Sequence, residues 1–136
     1  MDLSTVIKIS AAGLTAQQTR MRVVSENIGN ADTTPSKPGE EPYRRKTVAF
    51  RSVLDREMGT RLVKADRIVV DKSEPRMRYE PSNPGADEKG YVKQPNINTM
   101  LEATDMRQAQ RSYEANLSVI EIAKNMISRT IDILRG

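Results

Sequence analysis

Residues 98–136 read NTMLEATDMRQAQRSYEANLSVIEIAKNMISRTIDILRG, and no proline or internal glycine interrupts them. Met106, Tyr113, Ile120, Ile127 and Leu134 recur every seven residues, and Ala109, Asn116, Ala123 and Thr130 stand at the +3 positions between them. Large side chains at one seam position and small ones at the other, at period 3.5, describe a helix that packs along another helix. Asn98 supplies an N-cap and Gly136 a stop. At about 1.5 Å per residue the run spans roughly 57 Å, longer than a 136-residue globule needs. The first question is therefore what this helix pairs with.

The opposite end of the chain supplies a partner. From Leu3 to about Asn30, Ile7, Leu14, Met21 and Ile28 again recur every seven residues. Leu3 and Val24 lie on the adjoining seam, which Ser10 and Gln17 weaken. Ala11, Ala12, Gly13 and Ala16 make one side thin, and thin faces allow close helix approach. Gly13 lowers intrinsic helix stability by about 1 kcal/mol relative to alanine, so packing must order this helix. Two arms of equal period at opposite ends pair antiparallel once the middle turns the chain round. Helix-end capping is the expected role of Asn27 and Asn30. Asn116 falls on a seam position, where a polar side chain fixes register at some cost in stability.

All seven prolines lie between residues 35 and 95. The chain thus divides into a helical arm (1–32), a middle of strands and loops (33–97) and a second helical arm (98–136). Within the middle, Tyr43–Phe50, Arg61–Asp71, Met77–Glu80 and Tyr91–Lys93 read as short strands, and Val53, Leu54 and Met58 as a short irregular or helical piece. The fold class expected is mainly α: two long terminal helices paired as an antiparallel coiled coil, with a small β-rich insertion between them.

Composition narrows function by exclusion. There is no cysteine and no histidine, which removes thiol nucleophiles, histidine-based triads and the commonest zinc ligands. Asp66, Asp71, Glu80, Asp87 and Glu88 match no calcium-loop spacing, so neither a metal nor a cofactor is expected. The N-terminus lacks the basic and apolar regions of a signal peptide, and no stretch approaches eighteen apolar residues. Leu, Ile, Val and Phe number only 28 of 136, close to the limit for burying a core alone. Off-seam apolar residues, Val6, Ile9, Val23, Leu101, Leu117, Ile122 and Ile131, give both arms more than one apolar face and imply more than one helical neighbour. Residues 43–78 carry eleven Lys/Arg against five Asp/Glu. That excess is the basis of the alternative reading, an autonomous coiled coil that binds nucleic acid through Arg44-Arg45-Lys46.

Four stretches carry a resemblance. Asn27-Ile28-Gly29-Asn30-Ala31-Asp32-Thr33 is similar to the N-terminal signature of bacterial flagellar rod and hook axial proteins. Pro42-Tyr43-Arg44-Arg45-Lys46, Gly90-Tyr91-Val92 and Asp105 through Asn116 resemble the proximal-rod member of that family over almost the whole chain. The resemblance implies a structural subunit, not an enzyme, whose terminal helices form the wall of a hollow drive shaft carrying motor torque across the periplasm. It implies as partners further copies of the chain, other rod proteins, and the export-gate and base components of the basal body. Export would proceed through the flagellar type III apparatus without a cleaved signal. The assembly interface expected on this reading comprises Ile7, Leu14, Met21, Asn27, Ile28 and Asn30 on the first arm. On the second it comprises Met106, Tyr113, Asn116, Ile120, Ile127 and Leu134.

Overall fold

A computed structural model describes all residues, 1–136. Two long helices frame it, α1 (Leu3–Gly29) and α2 (Thr99–Arg135). Asp2 caps α1 by accepting from the Thr5 amide, and Asn98 caps α2 by accepting from the Met100 and Leu101 amides. Between the helices lie β1 (Lys46–Asp55) and β2 (Thr60–Val70), then β3 (Arg76–Tyr79) and β4 (Tyr91–Gln94). The result is the expected mainly helical chain with a small β insertion.

The helices run antiparallel. Gly13 lies against Asn116, Arg20 bonds Asp105 and Gln108, and Asn27 bonds Glu102. The centre of the seam is built from small residues: Ala16 of α1, and Ala109 and Ala123 of α2 at 0 % and 2 % exposure. The large heptad residues Met106, Tyr113, Ile120 and Ile127 flank it, half-buried. Small side chains let the two axes approach closely, and the flanking stems close over the contact.

A Cβ on Gly13 would stand 2.7 Å from Asn116 Nδ2, which is held by the Ser112 carbonyl at 2.9 Å. Gly13→Ala alone therefore sets a helix-propensity gain of about 1 kcal/mol against a clash. Combined with Asn116→Ala, the propensity gain is expected to emerge. Urea-denaturation midpoints of the two single variants and the double variant would show non-additivity of about 1 kcal/mol. Strict additivity would contradict the close approach.

Strands β1 and β2 form a long antiparallel hairpin, ten and eleven residues; β2 matches the expected Arg61–Asp71 strand to within one residue, whereas β1 is shifted and extended. β1 starts three residues later than expected, because Tyr43, Arg44 and Arg45 are drawn into the helix junction described below. It then runs on through Val53 and Leu54, expected to be irregular, because Leu62 and Arg61 pair opposite them. Asp66 is the extra residue of a bulge between the Ala49–Arg67 and Phe50–Ala65 pairs, and it takes an ion pair from Arg51 at 3.1 Å. The turn ends at Gly59, whose φ of 61° places it in the left-handed region.

The hairpin lies along α1 beside the face that meets α2, and Asp105 of α2 borders the same cleft as Val48 and Phe50. Val23 and Val24 face Val48 and Phe50 across a cleft of about 340 Å³. Further along, Ala12, Thr15, Ala16 and Thr19 face Val63 and Ala65 across about 300 Å³. At the tip, Lys8 Nζ meets Asp55 Oδ2 at 2.9 Å. Lys8, followed by the Met58 amide, holds the Asp55 carboxyl below its ordinary value of 3.8, and Asp55 in turn raises Lys8. A lowered carboxyl pKa contributes stability at pH above 3.8 that is lost as the pH falls through the lower folded-state value. Asp55→Asn at neutral pH is expected to reproduce the amide chemical shifts that the wild-type tip, residues 55–59, adopts in acid. Unchanged tip shifts in that variant would contradict the docking.

Strands β3 and β4 pair antiparallel in a second, smaller hairpin beyond the C-terminal end of α1, with Val92 fully buried beneath it. Arg76 ties it down by donating to the Pro95 and Ala31 carbonyls. Gly85 packs so tightly on the Pro35 carbonyl that no Cβ fits there. No helix is long and apolar enough to cross a membrane.

Candidate assembly interface and helix junction

Where the two helices meet the middle, the chain buries polar groups in place of apolar ones. Asn27, fully buried, uses all of its hydrogen-bonding capacity. Its Nδ2 donates to the Lys46 carbonyl at 2.7 Å and to Glu102 Oε2 at 3.1 Å. Its Oδ1 accepts from the Lys46 amide and the Tyr43 hydroxyl, both at 3.0 Å. Glu102, 1 % exposed, takes Asn27 on one oxygen and Arg45 Nε on the other. Arg45 also reaches Asp71 at 3.9 Å, and its amide donates to Asn96 Oδ1. Asn96 Nδ2 returns to the Asp71 carbonyl at 3.2 Å.

One connected set of side chains thus joins the end of α1, the start of β1, the end of β2 and the start of α2. Burial raises the Tyr43 hydroxyl pKa, and the charges of Glu26 and Glu102 add to that rise. The Ser73 amide and hydroxyl lower that of Asp71, with Arg45 and Arg44 as further causes. The chemistry of the junction is that of a clamp, since one bond lost leaves a buried partner unsatisfied.

The structure places the expected interface residues in different settings. Ile7, Leu14, Met21, Met106, Tyr113, Ile120 and Ile127 flank the helix pair, half-buried. Asn116 sits within it, against Gly13. Ile28 and Leu134 point into solvent at 39 % and 82 % exposure and have no neighbour in the chain to cover them. Asn30 caps α1, donating to the Glu26 carbonyl at 2.8 Å. Asn27 does not cap; its side chain is taken by β1 and α2. Glu102 escapes the sequence reading, because one polar residue in a charged helix gives no sign of burial until its partners are brought to it, and Arg45, read only as part of the basic trio, is its partner.

The basic trio loses its nucleic-acid appeal for the same reason. Arg44 pairs with Glu41, Arg45 with Glu102, and Lys46 with Glu26. The acidic turn residues are equally committed: Asp87 Oδ1 accepts from the Lys89 and Tyr91 amides, and no group of three potential metal ligands comes together.

Comparison with known proteins fits a chain built around two such arms. Residues 7–35 match the family model described as flagella basal body rod protein, and residues 88–133 match that of the flagellar basal body rod FlgEFG protein C-terminal. The flagellar basal-body rod protein FlgC of Agrobacterium fabrum is 49 % identical over 134 residues, covering 98 % of this chain and 96 % of its own. The chain belongs to the FlgC family of flagellar basal-body rod proteins. The FlgC of Bacillus subtilis is 38 % identical, covering 93 % of this chain and 95 % of its own. That of Escherichia coli O6:H1 is 36 % identical, covering 98 % of each. As a FlgC relative the chain is a structural, non-catalytic component of the flagellar rod. The two family matches fall on α1 with the turn after it, and on β4 with α2. These are the segments that the Asn27–Glu102 clamp holds together.

Proposed function

We propose that the chain enters the periplasmic rod through its two terminal helices, with neighbouring subunits covering the apolar faces that its own fold leaves open. The observation that carries this reading is the unequal length of the helices. Gly13 faces Asn116, so Leu3 lies level with about Met126, and the last nine or so residues of α2, about 13 Å, run past the start of α1. Ile131, Ile133 and Leu134 on this overhang are exposed, as are Ile28, Met100 and Leu101 at the other end of the pair. Only nine apolar residues are buried in the whole chain, four of them alanines, against twenty large apolar residues left exposed. A single subunit with so thin a core is stabilised chiefly by what it joins.

On this reading the partners are further copies of the chain, other rod proteins, and the export-gate and base components on which the rod stands. The subunit leaves the cytoplasm by the flagellar type III route without a cleaved leader, and the finished rod carries motor torque. Leu134→Asp tests the interface without touching the fold, since Leu134 is almost wholly exposed. The expected result is an unchanged melting curve with loss of incorporation into basal bodies and loss of swimming. Normal incorporation would remove the overhang from the interface.

A further inference from the structure

The base of the β1–β2 hairpin has one closed edge and one open edge, and two asparagines show which is which. The Asp71 amide donates to the Arg45 carbonyl at 2.8 Å, so these two residues turn their backbone groups towards each other. Antiparallel strands alternate such pairs with pairs whose N–H and C=O point outward. In the observed register Thr47–Val69 and Ala49–Arg67 therefore face inward. Lys46 and Val48 of β1, and Ile68 and Val70 of β2, turn their backbone groups to the outside. Asn96 completes the inward pair at the base, accepting from the Arg45 amide and donating to the Asp71 carbonyl. Asn27 acts on the outside of β1: its carboxamide meets both the amide and the carbonyl of Lys46, as a neighbouring strand would. The β1 edge is thus closed at Lys46 by the chain's own side chain, and residues 46–49 are half-buried.

The β2 edge has no such cover. The sheet ends at β2, and residues 66–70 are exposed throughout. The outward N–H and C=O groups of Ile68 and Val70 meet neither a third strand nor a side chain. Ile68, Val69 and Val70 stand 44 %, 39 % and 45 % exposed, three β-branched residues in a row that add little to the chain's own core. An unpaired strand of this composition is a template for another strand. Arg67 and Lys72 bracket the run without a carboxylate partner. The strand's own acids are committed, Asp66 to Arg51 and Asp71 to Arg45 and the Ser73 amide. Glu74, beyond the strand, lines a hollow with Arg76.

We propose that this edge receives an extended, acidic segment of a different protein, which joins the hairpin as a third strand. The backbone groups of Ile68 and Val70 supply the main-chain hydrogen bonds, and the apolar side chains on both faces pack beside those of the added strand. Arg67 and Lys72 pair with its carboxylates and set its register. A second copy offering the same edge would set uncommitted cations against uncommitted cations, with no free acid on the strand to meet them. This inference rests on the chain being a rod subunit with neighbours, but it concerns backbone pairing at β2 and not the helices.

Hydrogen exchange reads the alternation directly. In the free chain the Ile68 and Val70 amides are expected to exchange fast and the Val69 amide slowly, since only Val69 donates into the hairpin. In isolated basal bodies the first two are expected to slow about tenfold or more while Val69 changes little. Unchanged rates at Ile68 and Val70, or equal slowing of all three, overturns strand addition. p-Benzoylphenylalanine in place of Val69, photolysed in basal bodies, identifies the occupant. An adduct with an acidic segment of another protein is the expected result. An adduct with a second copy, with a segment lacking acidic excess, or no adduct from an incorporated variant overturns the proposal. Val70→Pro removes one outward donor and no hairpin bond. It is expected to leave the melting curve unchanged and to lower incorporation about tenfold, and wild-type incorporation overturns the proposal. Absence of even the unaltered chain from basal bodies would instead overturn the rod reading beneath it.

Discussion

Replacing Asn27 by alanine is expected to destabilise the isolated chain by about 3 kcal/mol. The side chain makes four hydrogen bonds, to Tyr43, Glu102 and both backbone groups of Lys46. Each is worth about 1 kcal/mol net, and the variant leaves the Lys46 amide and a Glu102 oxygen without their partner in a dry site. Glu102→Gln is the informative comparison. An amide oxygen still accepts from Asn27 while the charge facing Arg45 is gone, and Arg45 is partly exposed and so keeps some solvent. The loss there is expected to be about half as large. Urea denaturation followed by circular dichroism, with an unchanged slope and a lowered midpoint, checks both. An Asn27→Ala variant within about 0.5 kcal/mol of wild type would mean that the clamp does not hold the arms to the middle.

The second large effect is expected at Ala109→Leu. Leucine has the better apolar transfer energy and nearly the helix propensity of alanine, so sequence patterning alone favours it. Ala109 is fully buried in the seam, next to Gln108 and one turn from Asp105, both of which Arg20 holds across the helix pair. Three added carbons have no space there and force the helices apart, at an expected cost of about 3 kcal/mol. The same substitution at exposed Ala115 is expected to be close to neutral. Comparable thermal shifts at the two sites would contradict an alanine-centred seam.

These two expectations also mark how far the sequence can be read. Both helices, the Asn98 cap and the β insertion follow from heptads, proline placement and turn chemistry, all of which are local. The identity of the buried seam does not. The large residues at Ile7, Leu14, Ile120 and Ile127 dominate the pattern, yet they flank a contact made by the small ones. Within the thin run Ala11, Ala12, Gly13 and Ala16, Gly13 meets α2, Ala12 faces the hairpin and Ala11 is exposed, a division that shows only once both partners are in place. The second half of β1 is hidden from the sequence for a similar reason. Arg51-Ser52 breaks the alternation, and only pairing with Val63 and Lys64 carries the strand across it. Glu102 left no local trace, since its burial depends on Asn27 and Arg45, each more than fifty residues away.

The account's central claim is that the fold of one subunit is incomplete until neighbours cover it, and the end of α2 is where that claim is most exposed. Hydrogen exchange measured over residues 127–135, in the free chain and in assembled rods, tests it directly. The account predicts fast exchange in the free chain, where this segment runs past α1 with its apolar side chains uncovered, and strong protection in the rod. Protection already complete in the free chain, or exchange equally fast in the rod, would contradict it.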